Sequence, residues 1–299
     1  MQISLSINPE QEVKKITTFL KKIQKKTGIN KVVIGLSGGI DSTTVYCLLK
    51  KAYKPENIIG VNLPISLIRP IINQLNNLGG SIPKFFDAEN EARHRVFSST
   101  SPPKGGSPKS LTKKQVSSLL PMNQKISLGN IMARVRMIIL FDLAKKHNAL
   151  VCGTENKSER LLGYFTRFGD AASDIEPVTH LYKTQIYQLA KYLKVTKKII
   201  DQPPTADLWK GQTDEGEFGF TYEEADQVLY LYFDKKIATK EIKRLGFKNV
   251  EKIIKRFLGN QFKQETPYSL FTLRYLAAGR QGLLVPLSGT RNDRWGLRK

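Results

Sequence analysis

The chain has 299 residues, 40 % of them apolar, and a net charge of +22. This length suits one α/β domain with appended segments, and the absence of an apolar run of about 18 residues argues against a membrane span. Residues 1–15 lack the basic and apolar blocks of a secretory signal. Cys47 and Cys152 form no CxxC pair, so we expect no Cys-rich zinc site and a reducing, cytoplasmic setting.

The positive charge favours polyanionic partners in general. Part of the excess lies in segments that we expect to be peripheral: an N-terminal helix, the stretch from Arg93 to Lys125, and the C-terminal tail. A solvated basic surface is the simpler interpretation. Nucleic-acid binding is the alternative that the charge also allows.

Hydrophobic periodicity and helix-capping residues predict the elements along the chain. Asn8, Pro9 and Glu10 mark a helix start, and Gly28 ends that helix. Order is expected to return at Gly129-Asn130 after a flexible insertion. In chain order we predict a strand at Lys31–Leu36, a helix from about Asp41 to Ala52, a strand at Ile58–Leu63, a helix at Leu67–Leu78, the insertion at 98–118, a helix at Ile131–His147, a strand at Ala149–Gly153, a helix at Lys183–Leu193, a charged loop at Pro203–Gly219, and short helices at Tyr222–Phe233 and Thr239–Leu245.

Strands that alternate with helices indicate an α/β fold, a doubly wound and mostly parallel sheet flanked by helices. Ligands of such sheets bind at the carboxyl ends of the strands. The sequence therefore predicts one cleft shared by Ser37–Ser42, Gly153–Glu159 and the loop after Leu63.

The string Ser37-Gly38-Gly39-Ile40-Asp41-Ser42 lies between a predicted strand and a predicted helix. The glycines let the backbone approach an anion, and the helix N-terminus behind them offers N–H groups and a positive dipole end. A carboxylate beside phosphate needs a cation between them, so Asp41 is a candidate magnesium ligand. A tight turn with a capping aspartate is the simpler alternative.

This string resembles the loop of the ATP pyrophosphatase superfamily, whose members cleave ATP between the α and β phosphates. Further strings are similar, in order and spacing, to the short, microbial members of the NAD synthetase family, and the resemblance covers roughly Gln11 to Lys263. They are Gly129-Asn130-Ile131-Met132-Ala133-Arg134-Val135-Arg136-Met137, Gly153-Thr154-Glu155-Asn156-Lys157-Ser158-Glu159, Gly163 to Asp170 with Ser173-Asp174, Leu181 to Gln185, Pro204 to Trp209, and Gly211 to Glu215.

The resemblance implies a Rossmann-like fold of the adenine nucleotide alpha hydrolase type and a ligase that amidates deamido-NAD to NAD with ATP and ammonia. The nicotinate carboxylate attacks the α-phosphate of ATP, and ammonia then displaces AMP from the adenylate. No side chain is assigned a covalent or acid–base role. The implied ATP-binding residues are Gly35, Leu36, Ser37, Gly38, Gly39, Ile40, Asp41, Ser42, Thr154, Lys183 and Thr205; the Mg²⁺ ligands are Asp41 and Glu159; the deamido-NAD residues are Arg134, Arg167, Asp174 and Lys263.

The resemblance also implies a homodimer, a synthetase domain over residues 1–266, and an extension of unassigned role over 267–299. No segment is long enough for the amidase domain of glutamine-dependent relatives, so free ammonia is the implied nitrogen donor. Two departures stand out: Ala171-Ala172 replaces a glycine pair, and Phe262 replaces the histidine of a His-Lys pair. Gln212 to Phe218 is charged and flanked by glycines, which is typical of a mobile lid.

Two other functions remain open at this point. A tRNA-modifying enzyme on the same ATP loop would use the positive charge but leaves the later strings unexplained. A nucleotide-binding protein without turnover would not need Asp41, Glu159 and Lys183 together.

Overall fold

The computed structural model describes residues 3–64, 66–68, 122–206 and 211–264. Several predictions lie wholly or mostly outside these residues: the helix at Leu67–Leu78, the insertion at 98–118 and the extension at 267–299. Among the described residues, no helix is long and apolar enough to cross a membrane.

A parallel sheet forms the centre of the described chain. It consists of β1 (Lys31–Gly35), β2 (Ile58–Val61) and β3 (Ala149–Cys152), in the order β2-β1-β3. Ile34 lies opposite Cys152, and Cys152 also pairs in parallel with Ile175. The three predicted strands are therefore confirmed, each ending one or two residues earlier than expected.

Helices cover both faces of this sheet because its β-branched residues alternate between two cores. Val32 and Ile34 pack into a core that contains residues of the helices Pro9–Thr27, Ile40–Ala52 and Lys183–Tyr192. Val33 and Val151 point to the opposite face, where they pack with Ala144 of the helix Met122–His147. This two-sided burial confirms the α/β class. The helices are α1 (Pro9–Thr27), α2 (Ile40–Ala52), α3 (Met122–His147), α4 (Lys157–Leu162), α5 (Lys183–Tyr192), α6 (Lys197–Ile200), α7 (Asp214–Phe218), α8 (Tyr222–Leu229), α9 (Thr239–Arg244) and α10 (Val250–Asn260).

The first helix follows the sequence signals closely. Asn8 caps α1 by accepting a hydrogen bond from the Gln11 amide at 3.1 Å, and Gly28 ends the helix in the left-handed conformation. Ile16 and Leu20 are buried, whereas the α1 lysines are exposed. Exposed lysines are what both interpretations of the positive charge require, so the choice between a solvated face and nucleic-acid binding stays open for this helix.

Two predicted boundaries are wrong. Helix α3 begins at Met122 rather than Ile131 and runs through Gly129, because a helix tolerates one glycine at a cost of about 1 kcal/mol. The predicted loop Pro203–Gly219 contains the short helix α7, which Thr213 caps through the Gly216 amide.

A second core lies in the C-terminal helices. The helices predicted from the sequence account for only part of it. Helix α10 buries Val250, Ile253, Ile254 and Phe257, an i, i+3, i+4, i+7 stripe that is typical of a helix but is missing from the predicted elements. This stripe packs with residues of α4 and α8. The second core therefore supports α4, whose N-terminus faces the sheet edge.

Gly163 lies where the end of α4 contacts α10, so a substitution there tests this packing. It ends α4 with φ +64°, and a Cβ there would lie 2.2 Å from Asn260 Cβ of α10. Gly28 has φ +70° with open space around it. We expect Gly28→Ala to cost about 1 kcal/mol from backbone strain alone, and Gly163→Ala to cost about 2–4 kcal/mol from strain plus overpacking. Denaturant unfolding of both variants measures this difference, and equal losses would contradict the packing described.

Candidate active site

The glycine loop at the end of β1 is closed by its own serines. Gly38 has φ +84°, a conformation that favours glycine. The Gly39 amide donates to Ser37 Oγ at 3.2 Å, and Ser37 Oγ lies 3.1 Å from Ser42 Oγ. The loop delivers the chain into α2, whose first turn carries Asp41. This is the strand–loop–helix arrangement that binds phosphate at a helix N-terminus.

A buried lysine joins two carboxylates beside this loop. Lys183, the first residue of α5, is 2 % exposed, and its Nζ lies 2.5 Å from Asp41 Oδ2 and 3.1 Å from Glu159 Oε1. Burial lowers the pKa of Lys183, but the two carboxylates outweigh it and raise the pKa overall. Burial raises the pKa of Glu159 to about 8, opposed by Lys183. The sequence predicts Asp41 and Glu159 at one edge, and that proximity is confirmed.

Asn156 holds this group together, although the sequence pattern assigns it no role of its own. Its side chain is fully buried; Nδ2 donates to Asp41 Oδ1 at 2.9 Å, and Oδ1 accepts from the Glu159 amide at 3.0 Å. Glu159 Oε2 in turn accepts from the Asn156 amide at 3.3 Å. This reciprocal capping box fixes the start of α4 and orients Asp41.

A carboxylate from the second core holds the helix that carries Lys183. Asp226 is 0 % exposed; Oδ2 accepts from the Thr184 amide and hydroxyl at 2.9 and 2.8 Å. Ser158 Oγ donates to Asp226 Oδ1 at 2.5 Å and accepts from the Lys183 amide at 2.8 Å. Burial raises the pKa of Asp226 to about 6 despite these hydrogen bonds. An acid on the apolar face of the predicted helix Tyr222–Phe233 is the signal that could have revealed it.

The segment predicted as a lid packs against the second core. Asp214 is buried, and its Oδ2 accepts from the Tyr222 hydroxyl at 3.1 Å. Burial raises the pKa of Asp214, and the charge of Lys183 opposes that rise. Phe218 meets the Tyr164 ring edge-on, with 4.7 Å between ring centroids. The segment is thus a docked helix here, and its movement remains a prediction.

The residues expected to hold the dinucleotide lie around the loop 163–168. Arg134 Nη2 donates to the Arg167 carbonyl at 3.3 Å, and Lys263 Nζ donates to the carbonyls of Gly163 and Phe165 at 2.6 and 3.0 Å. The Arg167 guanidinium lies 5.7 Å from the Phe262 ring centroid. Phe262 and Lys263 therefore contact this loop within their own chain.

The other predicted positions are spread along the same edge. Asp174 Oδ2 accepts from the Val151 amide at 2.8 Å, which ties it to β3. Thr154 is half-buried just beyond β3, and Thr205 is exposed next to Pro204, whose carbonyl accepts from the Asp214 amide at 3.0 Å. The structure thus brings Asp41, Glu159 and Lys183 into direct contact, whereas Asp174 is hydrogen-bonded to β3.

Comparison with known proteins agrees with this arrangement. The family model described as NAD synthase matches residues 12–73 and 107–267. The NH(3)-dependent NAD(+) synthetase of Fusobacterium nucleatum is 38 % identical over 279 residues, covering 88 % of this chain and 96 % of that protein. The one from Wolinella succinogenes is 37 % identical, covering 87 % and 95 %. The chain belongs to the NAD synthase family.

Solved structures of the same kind share the fold. The structure of NMN synthetase from Francisella tularensis gives a TM-score of 0.60 at 29 % identity, covering 88 % of this chain and 99 % of that one. The NH3-dependent NAD synthetase of Campylobacter jejuni gives 0.57 at 27 %, covering 88 % and 100 %.

Asp41 and Glu159, the two acids expected to bind magnesium, fit a site at which the protein supplies only part of the metal's ligands. Among the described residues, no group of three or more His, Cys, Asp or Glu side chains is arranged to hold a metal. Mg²⁺, however, often binds one or two protein carboxylates and takes its other ligands from phosphates and water. Asp41 and Glu159 share Lys183 as their counter-charge, so they fit a metal that arrives with its phosphates.

A second acidic pair lies past β3. Burial and the charge of Glu176 raise the pKa of Glu155 to about 8, and burial raises the pKa of Glu176 to about 7. Glu155 Oε2 lies 3.5 Å from Arg160 Nη1, a contact that opposes this rise only partly.

The raised pKa of Glu155 makes a prediction about stability. A carboxyl whose pKa is higher in the folded state binds more protons there, so its contribution is present below pH 4.5 and is lost as pH rises towards 8. A glutamine side chain at this position cannot ionise. We expect the stability of Glu155→Gln relative to the natural chain to increase from pH 5 to about pH 8. Urea unfolding across this range measures the difference, and parallel curves would contradict the burial of a protonatable Glu155.

Proposed function

We propose that this chain amidates deamido-NAD to NAD with ATP and ammonia. The observation that carries the proposal is Lys183 buried between Asp41 and Glu159 at the end of a phosphate-type loop. Family membership supplies the reaction class, and the NH3-dependent relatives support ammonia as the nitrogen donor. A tRNA-modifying enzyme built on the same loop leaves this family match unexplained.

In the first proposed step, the nicotinate carboxylate attacks the α-phosphate of ATP, and pyrophosphate leaves. The loop from Gly35 to Ser42 binds phosphate oxygens through backbone amides and the α2 dipole. Lys183 supplies a fixed positive charge, held in place by Asp226 and Ser158. Such a transfer depends on positioning and charge neutralisation, and neither needs a covalent intermediate on the enzyme.

A divalent cation would complete this step. Asp41 and Glu159 are the residues that would hold Mg²⁺, which would neutralise phosphate oxygens. Lys183 then keeps both acids oriented when no nucleotide is bound. Thr154 and Thr205 add hydroxyl groups near the same edge.

In the second proposed step, ammonia displaces AMP from the adenylate. Arg134, Arg167 and Lys263 would hold the dinucleotide at the loop 163–168, and Asp174 would contact it from the end of β3. The segment from Gln212 to Phe218 would exclude water, because an adenylate exposed to water hydrolyses. Phe218 of this segment packs against Tyr164 at the second core, which supports a closed position of the segment over the site.

Assembly and location are also proposals. A homodimer follows the family resemblance. The cytoplasm suits the free cysteines Cys47 and Cys152, since thiols persist in reducing compartments.

NAD formation by the purified chain tests the function directly. With ATP, Mg²⁺ and deamido-NAD, we expect product with ammonium chloride and none with glutamine. Product only with glutamine would overturn the ammonia assignment. Amidation of nicotinate mononucleotide in place of deamido-NAD would overturn the assigned substrate.

A carboxylate variant tests the site in the same assay. We expect Asp41→Asn to reduce NAD formation on the order of 100-fold, because charge neutralisation at the phosphates is lost. Asp142→Asn is the matched control, since Asp142 is exposed on α3 and pairs with Lys146. Equal activity of the two variants would contradict the role of Asp41.

A further inference from the structure

Two carboxylates near the site remain outside the proposed mechanism. Glu155 is 7 % exposed, and Glu176 is half-buried. Glu155 Oε1 and Glu176 Oε2 are both buried, and neither has a hydrogen-bond partner within the described part of the chain. A buried acceptor without a partner costs about 1–3 kcal/mol, so such a pair calls for an occupant.

The remaining oxygen of each acid already has a partner. Glu155 Oε2 lies 3.5 Å from Arg160 Nη1, and Glu176 Oε1 accepts from Ser173 Oγ at 2.6 Å. Each carboxylate is therefore held through one oxygen, and we call its second oxygen open because it has no hydrogen-bond partner among the described residues. A Cβ on Gly153 would lie 1.8 Å from Glu176 Oε1, so the glycine at the end of β3 makes room for this carboxylate.

The pair lies between the two halves of the proposed reaction centre. Because β1 and β3 are neighbours, Gly153 follows Cys152 beside Ile34 and the phosphate loop. On the other side, Asp174 and Ile175 pair with β3 and lead directly to Glu176. Asp170, from the predicted dinucleotide loop, is near enough to raise the pKa of both acids.

We propose that Glu155 and Glu176 bind the ammonium ion from which the nitrogen of the amide is taken. This inference rests on the proposed function and assigns a site to its third substrate. An ammonium ion carries one positive charge and four N–H donors, which match two open carboxylate oxygens.

The chemistry balances with this assignment. Bound ammonium gives one proton to a carboxylate oxygen and becomes ammonia. The nitrogen lone pair forms a bond to the carbonyl carbon of the adenylate, and the bond from that carbon to the phosphate oxygen breaks. AMP leaves with the bonding electrons, and the amide nitrogen releases its surplus proton to solvent.

Glu155→Gln and Glu176→Gln test this site through two separate readouts. The first is kcat/KM for ammonium chloride, which we expect to fall between about 10-fold and 100-fold, because a hydrogen bond to a charged group is lost. The second is deamido-NAD-dependent exchange of pyrophosphate into ATP without ammonium, which we expect to persist because adenylate formation needs no ammonia. Glu241→Gln, at an exposed site on α9, is the matched control.

The outcomes distinguish a failure of the ammonium site from a failure of the proposed NAD-forming function. Absence of exchange in the natural chain would refute the proposed function itself. Exchange with an unchanged kcat/KM for ammonium in both variants would overturn the ammonium site. Equal losses of exchange and of kcat/KM would assign the acids a structural role, or a proton shared between them, and would also overturn it. Should Glu155→Gln fail to fold, the half-buried Glu176→Gln carries the test.

Discussion

The site depends on one buried positive charge. Lys183 has almost no exposed surface, and it is stable there because Asp41 and Glu159 flank it. A buried ion pair is costly unless its geometry is well fixed, so the surrounding hydrogen bonds matter as much as the pair itself. Asn156 fixes the two acids, while Asp226 and Ser158 fix the helix that delivers the lysine. The C-terminal core therefore serves the site, because it places Asp226.

The charge of the site contrasts with that of the chain. The chain carries +22, with exposed lysines on α1, yet acids predominate among the buried charged groups around Lys183. A triphosphate entering this environment meets carboxylates, which favours its arrival with a divalent cation. The positive surface charge can attract anionic substrates over a distance. The acids of the site then favour binding of a nucleotide that carries a cation over binding of the nucleotide alone. The proposed use of Glu155 and Glu176 for ammonium follows the same logic, since their open oxygens suit a cation.

The sheet and the central contact are predictable from the sequence, but their support is not. A strand and a phosphate loop can be predicted at KVVIGL and the SGGxDS string, because apolar strand runs and glycine loops are local signals. Asp41 and Glu159 can be placed together because strands β1 and β3 end at one edge. Asn156 and Asp226 receive no role from the pattern, because their partners lie 115 and 42 to 68 residues away. Helix α10 carries a clear stripe that is absent from the predicted elements, whereas the predicted start of α3 is too late because Gly129 resembles a boundary.

A double-mutant cycle on Asp41 and Lys183 tests the central claim most directly. Denaturant unfolding would compare Asp41→Asn, Lys183→Met and the double variant with the natural chain. Removing Lys183 alone should cost about 3–5 kcal/mol, since it leaves two largely desolvated carboxylates without a counter-charge. The double variant should lose at least about 1 kcal/mol less than the sum of the single variants. The exposed pair Asp142–Lys146 provides the reference, where coupling should not exceed about 0.5 kcal/mol. Additive losses for Asp41 and Lys183 would contradict the claim that this lysine holds the site together.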